Sequence, residues 1–373
     1  MNYNVMAILN LEEREQEIRG LTAFRPIATI PLAGRYRVID FILSNLVNAG
    51  IRQVGIFSKK STRSLVGHIS AGKPWDLNLK HSGLFLFDHP LLGDHNYDAK
   101  LFANNMEFLK KSEADYVILS SSYMIYNMDL QQVIEKHRVS GNEITVLYHP
   151  VSDAYREFLN CYTLQFDEHN MLTGYSKNIG ADNIANLCME LFVMKKEMLI
   201  RLIHRAVQMG EGCSFCDFLM KQLHHFRTGG ICYHGYVSCI NSTASYYRTN
   251  MELLTPQVRE DLFCSARPVY TKIKDGPPTL YTEGSRATDS LVADGCIISG
   301  TVHHSIISRF VTVSPDALVQ NCIVLQGAVI HEGARLNHAI IEKGAVVYPG
   351  TVISGTPDFP AVIEKKLLQV PSA

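Results

Sequence analysis

The sequence has almost no net charge, a single tryptophan and no long apolar run, and two of these shortages exclude a class of protein. Its 373 residues carry 35 Lys and Arg against 36 Asp and Glu, a net charge of −1. A dedicated nucleic-acid binder normally has a clear excess or a stripe of basic residues, so that class is excluded. No stretch approaches the roughly 18 uncharged apolar residues of a membrane-spanning helix, so we expect no membrane partner.

The cysteines and the first residues predict the compartment. The nine cysteines are odd in number and scattered along the chain, unlike the disulfide framework of a small secreted domain. Residues 1–11, MNYNVMAILNL, lack the basic start and the small-residue cleavage site of a secretory signal. We therefore expect a cytoplasmic protein with reduced thiols.

Apolar residues are plentiful, and in the first two-thirds of the chain they form short runs. Hydrophobic residues make up 46% of the sequence, enough for about two domains at this length. The runs that predict strands lie at 4–9, 53–57, 116–119, 143–148 and 191–194. Amphipathic stretches such as 40–48 and 98–111 lie between them. This alternation predicts an α/β domain with a mixed, mostly parallel sheet over residues 1–255.

A six-residue repeat follows a Pro- and Gly-rich stretch that predicts a linker over 256–285. Aliphatic side chains recur every six residues, with one five-residue step, at Leu318, Val324, Ile330, Leu336, Ile341, Val347 and Ile353. Glycines keep a fixed phase within it at Gly327, Gly333, Gly344 and Gly350. One inward aliphatic per six residues is typical of a left-handed parallel β-helix, which we predict over 286–373. Ordinary short strands rarely keep such a phase.

The segment RYRVIDFILSNLVNAGI at 35–51 closely resembles the signature of bacterial ADP-glucose pyrophosphorylase (glucose-1-phosphate adenylyltransferase). The segment RPVYTKIKDGPP at 267–278 is similar to the interdomain linker of that family. The resemblance implies a nucleotidyltransferase domain of GT-A, Rossmann-like type, a mixed-sheet sandwich followed by the β-helix. It also implies a reaction in which ATP and glucose 1-phosphate give ADP-glucose and pyrophosphate.

The loop that should hold ATP departs from the family. The family has Gly-Gly-x-Gly-x-Arg-Leu here, so that backbone N–H groups and an arginine meet the phosphates. Counting back from Leu21 without gaps, the glycine positions hold Glu12, Glu13 and Glu15, and the arginine position holds Glu17. Four carboxylates would then face a polyanion, and each like-charge pair at about 4 Å costs on the order of 4 kcal/mol. We expect no ATP binding in the usual mode.

Both metal-binding aspartates of the family are also replaced. In the stretch YVILSSSYMIY at 116–126, the position of the first aspartate holds Tyr123. In VSCINS at 237–242, the position of the second holds Cys239. Mg²⁺ prefers hard oxygen ligands, normally carboxylates with waters and phosphates, and a phenol and a thiol do not substitute. We therefore predict no cofactor and no catalytic residues in this chain, with Mg²⁺ confined to a catalytic partner.

Two further sites are eroded. Ile27 stands where the family has a lysine, and the sugar-phosphate motif Glu-Lys-Pro falls near Ser176-Lys177-Asn178. Lys177 is a candidate for residual sugar-phosphate binding.

Loss of the phosphate and metal positions with an intact scaffold resembles the non-catalytic D-type subunit of this enzyme of glycogen biosynthesis. That resemblance implies a regulatory subunit that forms a hetero-oligomer, a heterotetramer, with a catalytic paralogue. Two alternatives remain open: a self-sufficient enzyme with relocated ligands, and a stand-alone sugar-phosphate sensor.

Basic residues flank the intact segment. Arg35, Arg37 and Arg52 are candidates for an effector site, because guanidinium binds phosphate in a bidentate manner. In the family, basic residues at the first and third of these positions belong to the sugar-phosphate effector pocket. Solvent-exposed charge and subunit contacts are the competing interpretation.

Two other clusters suggest different chemistry. Cys213 and Cys216 form a C-x-x-C with histidines downstream, but 214–223 has the apolar spacing of a helix, which disfavours a zinc site. The β-helix carries four histidines, the residue type that sugar acyltransferases use, at His303, His304, His331 and His338. An acyl-CoA-dependent transferase is therefore a rival hypothesis, disfavoured because the solenoid is short.

Overall fold

The computed structural model describes residues 4–13, 15–59, 63–79, 82–88, 97–210, 213–264 and 266–364, except the side chains of Arg19 and Tyr97. It contains an α/β domain and a C-terminal left-handed β-helix, as the sequence predicts.

The α/β domain alternates strands and helices over most of its length. Its strands are β1 (Val5–Asn10), β2 (Pro31–Leu32), β3 (Tyr36–Arg37), β4 (Gln53–Ser58), β5 (Gly83–Asp88), β6 (Tyr116–Ser120), β7 (Met124–Ile125), β8 (Ile144–Val151), β9 (Tyr162–Phe166), β10 (Leu172–Lys177), β11 (Ala185–Lys195), β12 (Thr228–Cys232) and β13 (Ser238–Cys239). Its helices are α1 (Arg19–Thr22), α2 (Val38–Asn48), α3 (Arg63–Ile69), α4 (Tyr97–Asn104), α5 (Met106–Lys111), α6 (Leu130–Ser140), α7 (Lys196–Met209), α8 (Phe215–Gln222), α9 (Thr243–Glu252) and α10 (Pro256–Leu262).

The central sheet is mixed. Its strands lie in the order β10-β9-β11-β6-β1-β4-β5, and β8 pairs with both β11 and β12. Strands β6, β1, β4 and β5 are parallel, whereas β11 is antiparallel to β6, β8 and β9. Two apolar clusters contain side chains of alternate residues of β1: Ala7 and Leu9 lie in one, Met6 and Ile8 in the other. Strand β1 is therefore apolar from Val5 to Leu9, as expected of a strand that is buried on both faces of a sheet.

The β-helix consists of stacked parallel rungs. Its strands are β14 (Leu280–Tyr281), β15 (Arg286–Thr288), β16 (Leu291–Val292), β17 (Ile297–Ile298), β18 (Thr301–His303), β19 (Ile306–Ile307), β20 (Thr312–Val313), β21 (Leu318–Gln320), β22 (Ile323–Val324), β23 (Val329–Ile330), β24 (Arg335–Asn337), β25 (Ala339–Ile341), β26 (Val346–Val347), β27 (Val352–Ser354) and β28 (Ala361–Ile363). They form three five-stranded parallel sheets, and aliphatic side chains stack between them.

The three outer faces of the β-helix differ in character. The outer row of the β16-β19-β22-β25-β28 sheet includes Ile306, Ile323 and Ile340, which are buried against the α/β domain. The β15-β18-β21-β24-β27 sheet carries largely polar outer rows. The outer row of the β14-β17-β20-β23-β26 sheet is largely apolar, and no described part of the chain covers it. Its members are Leu280, Ile297, Thr312, Val329 and Val346. We call this row the free apolar face.

Two local features differ from the sequence prediction. The stretch 98–111 is two helices rather than one, with a break at Asn105, whose side chain donates to the carbonyl of Leu101. The stretch 256–285 contains helix α10 at one end and strand β14 at the other, because Leu280 pairs with Ile297 of the next coil. No described helix has the length and hydropathy of a membrane span.

Candidate functional site

The site lies where parallel strands β1 and β6 end side by side. Leu9 of β1 pairs with Ser120 of β6, so the segments that follow them, with Glu13 and Tyr123, meet at one edge of the sheet. This is the edge at which open α/β sheets bind ligands. Three of the positions where the chain departs from the family pattern, those of Glu13, Tyr123 and Cys239, are in contact with neighbours here.

Glu13 binds the segment after β6. Its Oε1 accepts from the backbone N–H of Ser122 at 2.7 Å and from the Ser122 hydroxyl at 2.6 Å, whereas the buried Oε2 has no partner. Burial raises the pKa of Glu13 from 4.5 to about 8, the carboxylates of Glu15 and Glu190 raise it further, and the bonds from Ser122 oppose the shift. At neutral pH the Glu13 side chain is therefore mostly an uncharged acid that closes off the end of β6.

Tyr123 binds a carboxylate from the neighbouring strand. Its hydroxyl donates to Oε1 of Glu190 at 2.6 Å. Glu190 lies in β11, where the register with β8 shifts between Cys188 and Phe192, and its φ of 48° is in the left-handed region that favours glycine. Burial and the charge of Glu190 raise the pKa of the Tyr123 phenol above its ordinary value, so it stays a proton donor.

Cys239 lies against a second thiol. Its sulfur is 3.5 Å from the sulfur of Cys161, the residue before β9. Strand β13 holds Cys239 opposite Met124 of β7, next to Tyr123. Burial raises the pKa of the Cys239 thiol well above its ordinary value.

Glu13, Tyr123, Glu190 and Cys161 line a cleft of about 990 Å³, whereas Cys239 is not part of its lining. Its lining includes six acidic residues and, among the described residues, neither lysine nor arginine: Glu12, Glu13, Glu15, Glu17, Glu190 and Asp217. A triphosphate would meet carboxylates where it needs N–H donors and cations.

The residues present do not suit a Mg²⁺–ATP complex. The carboxyl group of Glu13 is tied to Ser122 and that of Glu190 to Tyr123, while Cys239 offers a protonated thiol. In the described part of the chain, no group of three or more His, Cys, Asp or Glu is arranged to hold a metal ion. The hard-oxygen ligands that Mg²⁺ requires are therefore missing from the positions where phosphate chemistry would need them.

The other eroded positions lie around the same cleft. Ile27 is fully buried and adds an apolar wall where a cation would serve phosphate. Lys177 ends β10 at the margin of the cleft, with its Nζ 3.8 Å from Oδ1 of Asp217 and 5.2 Å from the centre of the Tyr162 ring.

The three arginines proposed for an effector lie in two places. Arg35 and Arg37 precede helix α2, whereas Arg52 follows its far end, and an 11-residue helix is about 16 Å long. Arg37 donates to the carbonyl and the hydroxyl of Ser64 at 3.1 and 2.8 Å, and burial lowers its pKa to about 10. Exposed Arg52 lines a different cleft together with Lys111.

The cysteines considered for zinc and the histidines considered for acyl transfer lie among structural neighbours. Cys216 lies in α8, and burial raises the pKa of its thiol well above the ordinary value. His303 contacts the Thr288 hydroxyl at 2.9 Å, and His304 contacts the Asp289 carboxylate. His338 lies 2.8 Å from the Tyr247 hydroxyl, between the two domains. His331 is half-buried in the β-helix.

Two residues of the site, Glu190 and Cys161, are not predicted from the sequence. Glu190 stands inside an apolar strand, and a charged residue in such a strand was the available signal. Cys161 gives no such signal, because it lies 78 positions from Cys239 in the sequence and approaches it only in the folded chain.

Comparisons with known proteins agree with this fold. The nucleotidyl transferase family matches residues 16–157, and the GlmU-like C-terminal hexapeptide family matches residues 279–359. The chain is 32% identical to the glycogen biosynthesis protein GlgD of Bacillus subtilis and 34% identical to that of Geobacillus stearothermophilus, in each case over 99% of this chain and 98% of the relative. It is 28% identical to the glucose-1-phosphate adenylyltransferase of Pseudothermotoga lettingae over 78% of this chain and 70% of that enzyme. The chain therefore belongs to the family of the glycogen biosynthesis protein GlgD.

Proposed function

We propose that this chain is a catalytically degenerate, regulatory subunit of ADP-glucose pyrophosphorylase that assembles with a catalytic paralogue. The observation that carries the proposal is the closed network in the cleft, in which Glu13 binds Ser122 and Tyr123 binds Glu190. Side chains that stabilise one another occupy the positions where the enzyme family needs glycine and aspartate. The role in glycogen synthesis rests on the relatives named above.

A self-sufficient enzyme is the second reading, and the contacts in the cleft disfavour it. Relocated ligands would have to come from carboxylates already in the cleft. Glu190 already accepts the Tyr123 hydroxyl, and Glu13 is mostly protonated at neutral pH. Binding of Mg²⁺ by these two carboxylates would require breaking both contacts and deprotonating Glu13. The other four acidic residues of the cleft belong to no cluster of three metal ligands in the described part of the chain.

The free apolar face is the surface we propose for the partner. Leu280, Ile297 and Val346 of this face are between 43% and 57% exposed. The corresponding row of another sheet, with Ile306 and Ile323, is buried against the α/β domain. The free face spans four strand spacings, about 19 Å, and carries no charge, which suits an equally apolar row on a homologous β-helix.

The double variant Ile297→Glu/Val329→Glu is expected to weaken assembly with a catalytic glucose-1-phosphate adenylyltransferase subunit at least tenfold, about 1.4 kcal/mol. In the complex, the two carboxylates would be buried in an apolar contact. In the isolated chain both side chains point outward, so the double variant should still fold. Sedimentation of mixtures at several concentrations measures the association.

The matched control is Thr301→Glu/Leu318→Glu, on the β15-β18-β21-β24-β27 face. The prediction that Leu318 points inward is wrong, because its neighbour Val319 occupies the core and Leu318 lies in the outer row with Thr301. These two charges should leave assembly unchanged. Equal association of both double variants would refute the docking surface but not the regulatory role. Absence of any complex and of any effect on the partner's activity would refute the regulatory role and favour a stand-alone sensor.

A cluster of cations supports effector binding as part of this role. Lys274 is partly buried at the junction of the domains, and its pKa is lowered first by burial and then by Arg37, Lys343 and Arg309. Its Nζ donates to Oε1 of Gln326 at 3.2 Å. An anion placed among these groups would relieve their repulsion, so we propose that a sugar phosphate binds here, close to Arg35 and Arg37 rather than to Arg52.

Lys274→Met is expected to weaken binding of glucose 6-phosphate or inorganic phosphate about tenfold, because it removes a cation that lies close to several other cations. Calorimetric titration of the folded chain measures the affinity. Lys136→Met, at an exposed lysine of α6, should bind as the unmodified chain does. If the two variants bind equally, the effector lies elsewhere.

A further inference from the structure

Cys161 and Cys239 form a thiol pair that the proposed regulatory role does not use. Their sulfurs are 3.5 Å apart, and the two residues are 78 positions apart in the chain. All nine cysteines of the protein are described, and none of them forms a disulfide bond. A disulfide bond is about 2.05 Å long, so the two sulfurs need to approach by only about 1.5 Å.

The contacts around the pair give the two sulfurs different roles. The Asn241 side-chain amide donates to the sulfur of Cys161 at 3.5 Å. The thiol of Cys239 stays protonated because burial raises its pKa, so its S–H can donate to the same sulfur. Cys161 also lines the cleft, whereas Cys239 is absent from its lining, and each residue is 3% exposed. A small reagent that enters the cleft therefore meets Cys161 first.

We propose that Cys161 and Cys239 are a site of reversible oxidation at which a peroxide forms a disulfide. The sulfur of Cys161 attacks one peroxide oxygen, the O–O bond breaks, and water leaves as Cys161 becomes a sulfenic acid. The sulfur of Cys239 then attacks the Cys161 sulfur, the S–OH bond breaks, and a second water leaves with the Cys239 proton. Two thiols lose two electrons in total, and one peroxide is reduced to two waters.

The disulfide would tie the start of β9 to β13. Strand β13 pairs with β7 at Met124, beside the contact of Tyr123 with Glu190. A disulfide between Cys161 and Cys239 lowers the conformational entropy of the unfolded chain. It also fixes β13 beside the contact between Tyr123 and Glu190. We expect oxidation to raise the thermal midpoint by about 5 °C.

The test treats the folded full-length protein with hydrogen peroxide, alkylates the remaining thiols in denaturant, and maps peptides by mass spectrometry. The expected result is a cross-linked peptide pair containing Cys161 and Cys239 that a dithiol reductant separates. Cys161→Ser and Cys239→Ser should each abolish the cross-link and the rise in thermal midpoint. Cys232→Ser, at a half-buried thiol outside the cleft, should retain both.

Alkylation of Cys161 and Cys239 to the same extent before and after treatment, while other thiols are oxidised, would overturn the proposal. A cross-link between other cysteines would overturn it as well. Circular dichroism of each variant before oxidation verifies that it folds, so loss of the cross-link reports on the sulfur and not on unfolding.

Discussion

Replacing Glu13 by glutamine is expected to make the protein more stable at pH 8 and to remove most of a pH dependence that the unmodified chain shows. The Glu13 carboxyl is buried with its pKa raised to about 8, against 4.5 without burial. Glutamine keeps the shape and offers an oxygen to Ser122 without a titrating proton.

The sign of the effect follows from where the proton is held. Between pH 4.5 and pH 8 the folded chain retains a proton on Glu13 that the unfolded chain has released. Stability therefore falls as pH rises through this window, and the stabilisation at low pH is lost by pH 8. Each unit of pKa difference corresponds to about 1.4 kcal/mol, so Glu13 alone weakens folding by up to about 5 kcal/mol across the window.

Urea unfolding of both proteins between pH 5 and pH 8.5 measures this. The difference between variant and unmodified chain isolates Glu13 from other titrating groups, such as His137, whose pKa burial lowers to about 4. Glu17→Gln, at an exposed carboxylate of the same segment, should follow the unmodified chain. Parallel pH profiles for Glu13→Gln and the unmodified chain would contradict the buried, protonated state.

Restoring the family's aspartate by Tyr123→Asp is expected to destabilise the protein by about 3 kcal/mol and to give no turnover. The change removes the hydroxyl that binds Glu190 and places a second carboxylate beside it in a half-buried site. Mg²⁺ should not recover the loss, because Cys239 still occupies the second metal position. Urea unfolding at pH 7 with and without Mg²⁺ measures the stability, and pyrophosphate release from ATP and glucose 1-phosphate measures turnover.

Tyr123→Phe separates the hydrogen bond from the added charge. It keeps the ring and removes only the hydroxyl, so it should cost about 1 kcal/mol. A Tyr123→Asp variant as stable as Tyr123→Phe would contradict the like-charge argument, and Mg²⁺-dependent stabilisation of Tyr123→Asp would indicate a metal site that tolerates the thiol.

The two-domain architecture could be predicted from the sequence, because apolar runs mark the strands of the sheet and a six-residue repeat marks the β-helix. The stretch 4–9 became β1 and 116–119 became β6, since apolar runs buried on both faces need no partner to be recognised. The six-residue spacing of Ile330 and Leu336 likewise places both in the core of the β-helix. The replaced positions were also visible, because a motif fixes Tyr123 and Cys239 by counting along the chain.

The contacts within the site could not be read in this way. Glu190 reaches Tyr123 only through an irregularity in an antiparallel strand, with a backbone conformation that spacing does not encode. The resemblance to the family grouped Arg52 with Arg35 and Arg37, but the full length of α2 separates Arg52 from the other two. Cys161 and Cys239 meet only after the sheet has formed.

Formation of ADP-glucose by the isolated chain tests the central claim most directly. The chain, free of any paralogue, is incubated with ATP, glucose 1-phosphate and Mg²⁺, and released pyrophosphate is measured beside a catalytic glucose-1-phosphate adenylyltransferase at equal concentration. Glutamates in the phosphate loop and the loss of both metal-binding aspartates predict turnover at least a thousandfold lower, equivalent to a barrier higher by about 4 kcal/mol. Turnover within tenfold of the catalytic enzyme would contradict the account.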